Sequence, residues 1–513
     1  MDAISRSVKE VEVRFFGMAV LSEVVYRPEC LQLLIDGRWV ESSSEEWLPV
    51  TNPATGEAIS RVPFALKEEV DKAVISAQNA FEKWKNVPLS ERVQCLFGMK
   101  QLFEEHLEEF ARINTQNHGK TISESRGDVR RAIENIEAAI AAGYILMKGE
   151  KLDQVAEGID EETVKEPLGV FGIICPFNFP IMVPFWFLPY AIVVGCTVVV
   201  KPSEVTPLPM TYIAELLQRN VKLPPGVLNL IHGSKGTSEA LISHPLVKGI
   251  TFVGSTPVGR YVYKLAGEHG KRAIVQAGAK NAIVVMPDAD LSHTIESCLS
   301  SFFGNTGQRC LAGANLMVTS PVHNGLLQKF ASRAQGIRLG YGLDESTEMG
   351  PMVSRKSQER VLRYIDVGTS EGAKLILDGR RAHAKGYENG FYVGATIFDG
   401  VNADMTIAKE EIFGPVASVI EVADLDEAIN RINKNTQFGN AASIFTNDGG
   451  YAREFRRRVQ AGNIGINVGV AAPVGYFPFG GMRDSFFGVL HGQMDSIDFF
   501  TDRKVIITRW GHR

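Results

Sequence analysis

The sequence predicts an α/β protein built on two parallel sheets, and two patterns carry that prediction. Between residues 170 and 253, short and almost wholly apolar segments alternate with helical patterns, which is typical of parallel strands covered by helices on both faces. The same alternation returns between residues 282 and 479. A chain of 513 residues also exceeds what a single core usually fills. We therefore expect a Rossmann-type domain, a second α/β domain and a functional cleft between them.

The chain before the first sheet is predicted to form a hairpin and three helices. Residues 34–50 contain an Asp-Gly turn signal within Leu-Ile-Asp-Gly-Arg-Trp-Val. Apolar residues then recur at three- and four-residue spacing over 66–85, 89–111 and 123–142, which indicates helices. From 152 to 168 the chain becomes polar and strand-like.

The strands of the two sheets are predicted from apolar runs. In the first sheet these runs are 170–174, 197–200, 227–231 and 249–253, and in the second they are 282–285, 316–318, 416–420 and 441–445. A final strand-like segment at 497–507 has no partner left in the sequence. We expect that segment to pair with another subunit.

Composition argues against several classes of function. The formal net charge is -5, so nothing indicates a nucleic-acid or membrane-surface partner. The six cysteines form no CxxC pair or His cluster, and neither disulfides nor a metal site is predicted. Prolines interrupt the apolar stretch 170–200, which indicates a buried core rather than a membrane span. We expect small-molecule partners and a reducing compartment: the cytoplasm, or the mitochondrial matrix in a eukaryote.

Residues 1–30 are predicted to be an N-terminal extension. Its basic residues are mixed with Glu10, Glu12, Glu23 and Glu29, whereas transit peptides are poor in acidic residues and signal peptides have a cleaner apolar region. No targeting segment is assigned, and Met18 is an alternative start.

Two motifs follow strands of the first sheet and suggest a nucleotide site. Phe-Val-Gly-Ser-Thr-Pro-Val-Gly at 252–259 opens a helix whose amides could cradle a pyrophosphate, although it lacks the GxGxxG pattern and alone fits an ordinary turn. In Lys-Pro-Ser-Glu at 201–204, Lys201 could contact ribose or phosphate and Glu204 could accept ribose hydroxyls, which disfavours a 2′-phosphate. The alternative for that motif is a lysine and a glutamate that are simply solvated in a loop. Together the two motifs favour NAD.

One cysteine and one asparagine are candidates for covalent chemistry. Cys310, in Gly-Gln-Arg-Cys, lies in a loop predicted to open a helix, where the helix amino terminus and Arg309 would favour the thiolate. The alternative is an inert buried thiol. Asn178, in Pro-Phe-Asn-Phe-Pro, could donate to an oxyanion beside the Cys310 N–H, or it could simply satisfy loop backbone.

Six blocks in order resemble the aldehyde dehydrogenase superfamily over roughly residues 31–510. They are Asn-Pro-Ala-Thr-Gly-Glu at 52–57, Pro-Phe-Asn-Phe-Pro at 176–180, Lys-Pro-Ser-Glu at 201–204, Phe-Val-Gly-Ser at 252–255, Gly-Gln-Arg-Cys at 307–310 and Glu-Glu-Ile-Phe-Gly-Pro at 410–415. The resemblance implies Cys310 as nucleophile and Asn178 as oxyanion donor. It implies a cofactor site for NAD formed by Cys175, Phe177, Lys201, Glu204, Ser255, Ala277, Glu411 and Phe413, with no metal.

The sequence departs from the hydrolytic pattern of that superfamily at Gln276. There the Glu-Leu-Gly-Gly-Lys block of hydrolytic members is replaced by Gln-Ala-Gly-Ala-Lys, and a glutamine cannot accept the proton of an attacking water. Gly-Ala-Lys-Asn at 278–281, Phe-Pro-Phe-Gly-Gly at 477–481 and the tail resemble instead the CoA-acylating malonate- and methylmalonate-semialdehyde dehydrogenases of valine or inositol breakdown. The alternatives are a hydrolytic enzyme using Glu411 or another carboxylate, or a catalytically silent homologue.

The substrates of that branch carry a carboxylate, and two arginines match the positions that would bind it. Arg309 precedes the cysteine, but an arginine also stands there in other aldehyde dehydrogenase branches. Arg131 lies in a predicted helix, where a solvated surface charge is the alternative.

The resemblance also implies a domain arrangement. It consists of an NAD-binding domain at 31–149 and 169–275, a catalytic domain at 276–484, and a small β oligomerisation element at 150–168 and 485–513. The last would pair across subunits of a homodimer or homotetramer.

Overall fold

In the computed structural model the described residues are 20–511, with nothing stated for the side chain of Gln493. Most of the expected N-terminal extension, residues 1–19, lies outside this range. Residues 33–167 form six strands and four helices. The strands are β1 Leu33–Ile35, β2 Arg38–Val40, β3 Trp47–Thr51, β4 Ala58–Pro63, β5 Lys151–Ala156 and β6 Ile159–Pro167; the helices are α1 Lys67–Trp84, α2 Leu89–Glu105, α3 Leu107–His118 and α4 Ile122–Leu146.

The predicted hairpin and helices of this segment are confirmed, except that one predicted helix is two. Asp36 and Gly37 both have positive φ, as the Asp-Gly turn between β1 and β2 requires. The segment predicted as one helix over 89–111 is two helices, because the chain breaks at His106 between α2 and α3.

Residues 170–276 alternate between strands and helices. The strands are β7 Val170–Ile174, β8 Thr197–Lys201, β9 Leu228–Leu230, β10 Val247–Val253 and β11 Arg272–Gln276; the helices are α5 Met182–Phe185, α6 Leu188–Val194, α7 Leu208–Asn220, α8 Lys235–Ser243 and α9 Thr256–Glu268. Every residue of β7 and β8 is buried. This burial is what a sheet covered by helices on both faces requires.

Residues 281–466 repeat the alternation. The strands are β12 Asn281–Val285, β13 Gly313–Thr319, β14 Lys374–Leu377, β15 Thr396–Asp399, β16 Val416–Val422, β17 Phe438–Gly439, β18 Ala441–Phe445 and β19 Asn463–Ile466; the helices are α10 Leu291–Phe303, α11 Ser320–Gln335, α12 Arg355–Ser370, α13 Thr406–Lys409, α14 Leu425–Lys434 and α15 Gly449–Arg458. The carboxyl-terminal elements are β20 Met482–Arg483, β21 Phe486–Gly488, α16 Gln493–Phe500 and β22 Thr501–Arg509.

Two large sheets organise the molecule. The first has the order β2-β1-β9-β8-β7-β10-β11-β21, with five parallel strands at its centre and antiparallel strands at both edges. The second has the order β14-β15-β16-β13-β12-β18-β19 and is parallel apart from β14. The predicted α/β fold class with two sheet-based units is therefore confirmed.

The prediction that the tail has no partner within the chain is wrong. β22 pairs antiparallel with β6, from Thr501 opposite Pro167 to Arg509 opposite Ile159, in a small sheet of order β22-β6-β5. Pairing over so long a separation leaves no local signal in the sequence. The start of the predicted strand, 497–500, is the end of α16, where Ile497 and Phe500 are buried three residues apart.

One boundary of the expected small β element also needs correction. Phe486–Gly488 does not join that element but forms β21, which pairs with β11 at the edge of the first sheet. The apolar side chain of Phe486 is buried there.

Candidate active site

The carboxyl ends of four neighbouring strands bring the predicted nucleotide motifs to one edge of the first sheet. Lys201 at the end of β8 lies opposite Ile174 of β7, and the next residue, Cys175, donates its N–H to the Lys201 carbonyl at 3.0 Å. On the other side, Val253 lies opposite Gln276, whose carbonyl accepts the Gly254 N–H at 3.0 Å. Parallel sheets bind ligands at this edge.

Lys201 and Glu204 form an ion pair in that edge. The Lys201 Nζ is 3.2 Å from Glu204 Oε2 and donates to the carbonyls of Pro202 at 3.0 Å and Gly233 at 2.6 Å. The lysine side chain is 4% exposed, whereas that of Glu204 is 36% exposed. The carboxylate therefore faces open space with lone pairs available, while the lysine is fixed by three acceptors.

The amino terminus of α9 lies at the same edge of the sheet, after β10, which is separated from β8 by β7. Ser255 is the exposed N-cap residue, and its side chain makes no capping hydrogen bond. Pro257 has no N–H, so the first-turn donors available to an anion are the Thr256 and Val258 N–H groups, together with the serine hydroxyl. Ala277 is buried, and its N–H is already donated to the Ser485 carbonyl at 2.9 Å, so that only its carbonyl remains for a ligand.

A buried ion pair holds the backbone of the Asn178 loop. Lys120 Nζ lies 3.1 Å from Asp128 Oδ2, with both side chains fully buried, and donates to the Asn178 carbonyl at 2.8 Å. Asp128 Oδ1 accepts the Met182 N–H at 2.7 Å. This network fixes the backbone of the loop to α4 and leaves the Asn178 amide group free to face the next segment.

Asn178 meets the cysteine loop directly. Its Nδ2 donates to the Gln308 carbonyl at 3.0 Å, two residues before Cys310. The amide has a second N–H, so this contact orients the group without exhausting it. The two residues predicted to share an oxyanion are thus brought to neighbouring loops.

The expectation that Cys310 opens a helix is wrong. A single 3₁₀ turn, Gly304–Gly307, precedes it, and the chain then runs into β13. Apolar residues of Gly313–Thr319 are buried between β12 and β16, which explains why this segment is a strand. The expected helix amino terminus is therefore not what favours the thiolate of Cys310.

The turn before the cysteine is left-handed over three consecutive residues. Asn305, Thr306 and Gly307 have φ of 52°, 54° and 68°. A threonine in this region is rare because its branched Cβ is crowded. At Gly307 a Cβ would come within 2.1 Å of the Gly414 carbonyl oxygen, so glycine is required.

Two asparagines hold the backbone of Cys310. Its carbonyl accepts Nδ2 of Asn281 at 2.8 Å and Nδ2 of Asn440 at 2.8 Å. Burial of the thiol, together with the negative charge of Glu411, raises the pKa of Cys310 to about 12. The thiol is therefore protonated at neutral pH in this state, and attack requires that something favour its ionisation.

Glu411 lies close to that thiol. Its Oε1 accepts the Ala279 N–H at 2.8 Å, and burial raises the pKa of the carboxyl. A small cleft joins it to Arg309, Phe413 and Lys280. Burial lowers the pKa of Lys280 to about 7.

Two predicted cofactor aromatics also come together. The rings of Phe177 and Phe413 meet edge to face with centroids 5.7 Å apart. Phe413 has a φ of 56°, an unusual conformation that directs the segment after Glu411 toward the Asn178 loop.

Gln276 is completely buried at the end of β11. Its Oε1 lies 3.5 Å from Nε2 of His491, and its Nε2 has no hydrogen-bond partner within residues 20–511. His491 is stacked among Trp186 and Phe479, and burial lowers its pKa to about 3, so it is neutral. No carboxylate occupies this position.

The two predicted substrate arginines are each paired. Arg309 Nη2 lies 3.0 Å from Glu124 Oε1 with both side chains largely buried. Arg131 is 35% exposed and pairs with Glu134 on the same helix at 2.8 Å. Neither guanidinium is therefore unpartnered in this state.

Several residues of the site escaped the sequence analysis. These residues act through contacts between separate segments of the chain, and a single polar residue carries no local signature of such a role. They are Lys120, Asp128, Glu124, Asn281 and Asn440. A capping pattern, Thr-Ile-Ser-Glu at 121–124, could have drawn attention to Glu124, but only as a helix start.

Among residues 20–511 no helix is both long and apolar enough for a membrane span. The same residues contain no grouping of three or more His, Cys, Asp or Glu side chains suited to a metal ion.

Comparison with known proteins gives the family. Residues 39–506 match the aldehyde dehydrogenase family. The chain is 45% identical over 483 residues to malonate-semialdehyde dehydrogenase 2 of Geobacillus kaustophilus, covering 94% of this chain and 99% of the relative. It is 43% identical over 481 residues to malonate-semialdehyde dehydrogenase of Listeria monocytogenes, covering 94% and 97%.

Solved structures agree. The crystal structure of methylmalonate-semialdehyde dehydrogenase from Oceanimonas doudoroffii superposes with a TM-score of 0.92 at 39% identity, covering 95% of this chain and 99% of that one. An NAD+ complex of aldehyde dehydrogenase from Bacillus cereus gives 0.89 at 32% identity, covering 94% and 97%. The ordered motifs, the two-sheet fold and these matches together establish that the chain belongs to the aldehyde dehydrogenase family.

Proposed function

We propose that this aldehyde dehydrogenase oxidises malonate or methylmalonate semialdehyde with NAD and transfers the acyl group to CoA. Transfer to CoA rather than to water is supported by the buried amide of Gln276, at the position where a hydrolytic enzyme would need a base. The names of the relatives from Geobacillus and Listeria support the substrate class.

The first half-reaction is assigned to Cys310 and Asn178. The Cys310 thiol first releases its proton to solvent. The thiolate sulfur then bonds to the aldehyde carbon, and the carbonyl oxygen becomes an oxyanion held by the Asn178 amide and the Cys310 N–H. The carbonyl then re-forms as the aldehyde hydrogen leaves as hydride, giving a thioester on Cys310. Because the pKa of the thiol is raised to about 12, binding of the cationic nicotinamide ring is expected to favour its ionisation.

The edge of the first sheet fits an adenine dinucleotide. The half-exposed carboxylate of Glu204 can accept two ribose hydroxyls, and the uncapped first turn of α9 with Ser255 can donate to a pyrophosphate. Glu411 and Phe413 are assigned to the nicotinamide ribose and ring. Bound NAD supplies the hydride acceptor.

In the second half-reaction the thioester loses carbon dioxide and is transferred to CoA. The bond to the β-carboxylate breaks, its electrons pass into the thioester enolate, and a proton from solvent completes an acetyl or propionyl group. The CoA thiolate then attacks the carbonyl and Cys310 leaves as thiolate. A glutamine at 276 can donate or accept hydrogen bonds here but cannot take a proton from water.

The substrate carboxylate is assigned to Arg309, with Arg131 as the second cation. Arginine binds carboxylates through two parallel hydrogen bonds and so fixes orientation as well as charge. In the structure Arg309 lies one residue from the nucleophile and lines the same cleft as Glu411.

We also propose a homodimer or homotetramer assembled through the sheet β22-β6-β5. Its β22 strand pairs with no second strand among residues 20–511 and has exposed apolar side chains, with Val505 62% and Ile507 65% exposed. Light scattering should give at least a dimer, and the substitutions Val505→Lys and Ile507→Lys should lower the mass. A wild-type monomer would contradict the assignment.

The decisive experiment measures turnover of malonate semialdehyde and NAD with and without CoA. We expect acetyl-CoA, carbon dioxide and NADH in equal amounts, and without CoA a single burst of about one NADH per Cys310. Vigorous steady-state formation of free acid without CoA would overturn the acylating assignment in favour of a hydrolytic enzyme. Cys310→Ala is the control and should abolish both phases.

A further inference from the structure

Glu124 makes more contacts than its place in a helix cap explains. It lies in the first turn of α4, where Oε2 accepts the Thr121 N–H at 3.1 Å in an ordinary capping box. Its other oxygen, Oε1, accepts the Asn305 N–H and lies 3.0 Å from Arg309 Nη2. One carboxylate oxygen thus bridges two points of the loop that carries Cys310.

The first of these points is where the loop is strained. Asn305 and Thr306 are both left-handed, a backbone conformation that is unfavourable for residues with a Cβ unless their surroundings hold it. Glu124 holds the N–H of Asn305, and the Gly350 carbonyl accepts the Thr306 hydroxyl at 2.9 Å. Glu124 is therefore part of what sets the path of the chain into Cys310.

The second point is the guanidinium of Arg309. Its Nη1 donates to the Ser300 carbonyl at 3.3 Å, and the group lies against Gly304, where an added Cβ would come within 2.7 Å of Nη1. With Nη2 on Glu124, the cation next to the nucleophile is already neutralised. Any further carboxylate that approaches it meets the negative charge of Glu124.

We propose that Glu124 is a positioning and specificity-determining residue: it orders the loop through Asn305 and competes with the substrate carboxylate for Arg309. This inference rests on the proposed function insofar as the substrate carries a carboxylate. An aldehyde with a carboxylate can exchange one ion pair for another, whereas a neutral aldehyde leaves the Glu124 pair in place. Glu124 thus sets how strongly Arg309 favours anionic over neutral substrates.

The test compares how fast two reagents of nearly equal shape alkylate Cys310. It uses the full-length enzyme without aldehyde substrate. Iodoacetate carries a carboxylate and iodoacetamide does not, and the rate at Cys310 is followed by peptide mass spectrometry. In Glu124→Gln an oxygen remains for the Asn305 N–H but the charge is gone. We expect the ratio of iodoacetate to iodoacetamide rates to rise about fivefold, the size of one partly buried ion pair.

A second variant breaks the ion pair between Glu124 and Arg309 while leaving Glu124 in place. In Gly304→Ala the new Cβ displaces the flexible guanidinium from Glu124, and the backbone at 304 has an ordinary negative φ of -57°. The ratio should rise there too, while Glu124→Asp, which keeps the charge, should stay near wild type. In turnover, Glu124→Gln should lower KM for malonate semialdehyde severalfold and leave KM for propanal unchanged.

An unchanged or lower ratio in both Glu124→Gln and Gly304→Ala would overturn the proposal. So would an equal slowing of both reagents in Glu124→Gln, since that is the result of a purely structural role. The alkylation ratio uses neither aldehyde nor CoA. A wild-type enzyme that proves to be hydrolytic would therefore refute the proposed function while leaving this test valid.

Discussion

Restoring a carboxyl at position 276 is the sharpest perturbation of the second half-reaction. Gln276→Glu keeps the length of the side chain and changes one amide to a group that can accept a proton. If the missing base is what prevents hydrolysis, water should now attack the Cys310 thioester. General bases contribute about 10²- to 10⁴-fold, so CoA-free acid formation should rise at least about a hundredfold.

The structure also sets the pH range of this gain. Gln276 is 0% exposed, and within the described residues its side-chain amide has only His491 in hydrogen-bond range, an imidazole kept neutral by burial. A new carboxyl there should have its pKa raised by about two units from about 4.3. The base form, and with it the CoA-free rate, should therefore increase with pH through about pH 6.

The same shift has a cost in stability, and its sign follows from linkage. When the pKa of a carboxyl is higher in the folded than in the unfolded protein, the protein loses stability as the pH rises from the unfolded pKa to the folded pKa. Below both pKa values the carboxyl costs no stability. Two units correspond to about 2.7 kcal/mol lost above about pH 6.5 and almost none below pH 4. Urea unfolding at pH 5 and pH 8 should record about 1.7 kcal/mol of this loss, because about 1 kcal/mol is already lost at pH 5.

The assay follows NADH and free acid with and without CoA. Gln276→Met is the matched control, because it has similar volume and neither accepts a proton nor titrates. The reasoning is refuted if folded Gln276→Glu forms acid without CoA no faster than Gln276→Met. If the unfolding free energy of Gln276→Glu changed between the two pH values by the same amount as that of Gln276→Met, the burial argument would be refuted separately.

Three further outcomes follow from the site. Lys120→Met strips Asp128 of its partner in a fully buried pair, so the free energy of unfolding should fall by about 3 to 5 kcal/mol in urea titrations, and a loss below 1 kcal/mol would contradict the network. Gly307→Ala places a Cβ 2.1 Å from a backbone carbonyl and should lower kcat about a hundredfold, whereas Gly372→Ala, also at positive φ but with open space around it, should keep full activity. Because burial raises the pKa of Cys310 to about 12, its alkylation by iodoacetamide without NAD should rise about tenfold per pH unit from pH 7 to pH 9, and a plateau in that range would show a lower pKa.

The sequence predicts the parts of this molecule that lie in contiguous segments. Cys310, Asn178 and Lys201 stand inside short motifs, and the apolar strands β7 and β8 are buried at every residue, as their composition indicates. What it misses depends on contacts between distant segments. The left-handed turn at Asn305 is sustained by Glu124, 181 residues earlier, and no local pattern contains that pairing.

The expected helix at Cys310 failed for a related reason. A glycine-containing loop after a helix can lead into either a helix or a strand. What decides is the slot between β12 and β16, which the segment 313–319 fills as a buried strand. That slot exists only after the second sheet has been assembled, so the choice cannot be made from the neighbouring residues alone.

The pairing of β22 with β6 also bears on how the chain is made. The Trp510 indole donates to Asp160 at 2.8 Å across 350 positions in the sequence. At ribosomal rates of about 5 to 20 residues per second, β6 waits roughly 20 to 70 s for its neighbour to be synthesised. During that time it has an open edge, and its sequence, Ile-Asp-Glu-Glu-Thr-Val-Lys-Glu-Pro, is suited to the delay because charged side chains discourage pairing with other nascent chains. We therefore expect the charges on β6 to discourage pairing of its open edge with other nascent chains until β22 has been synthesised.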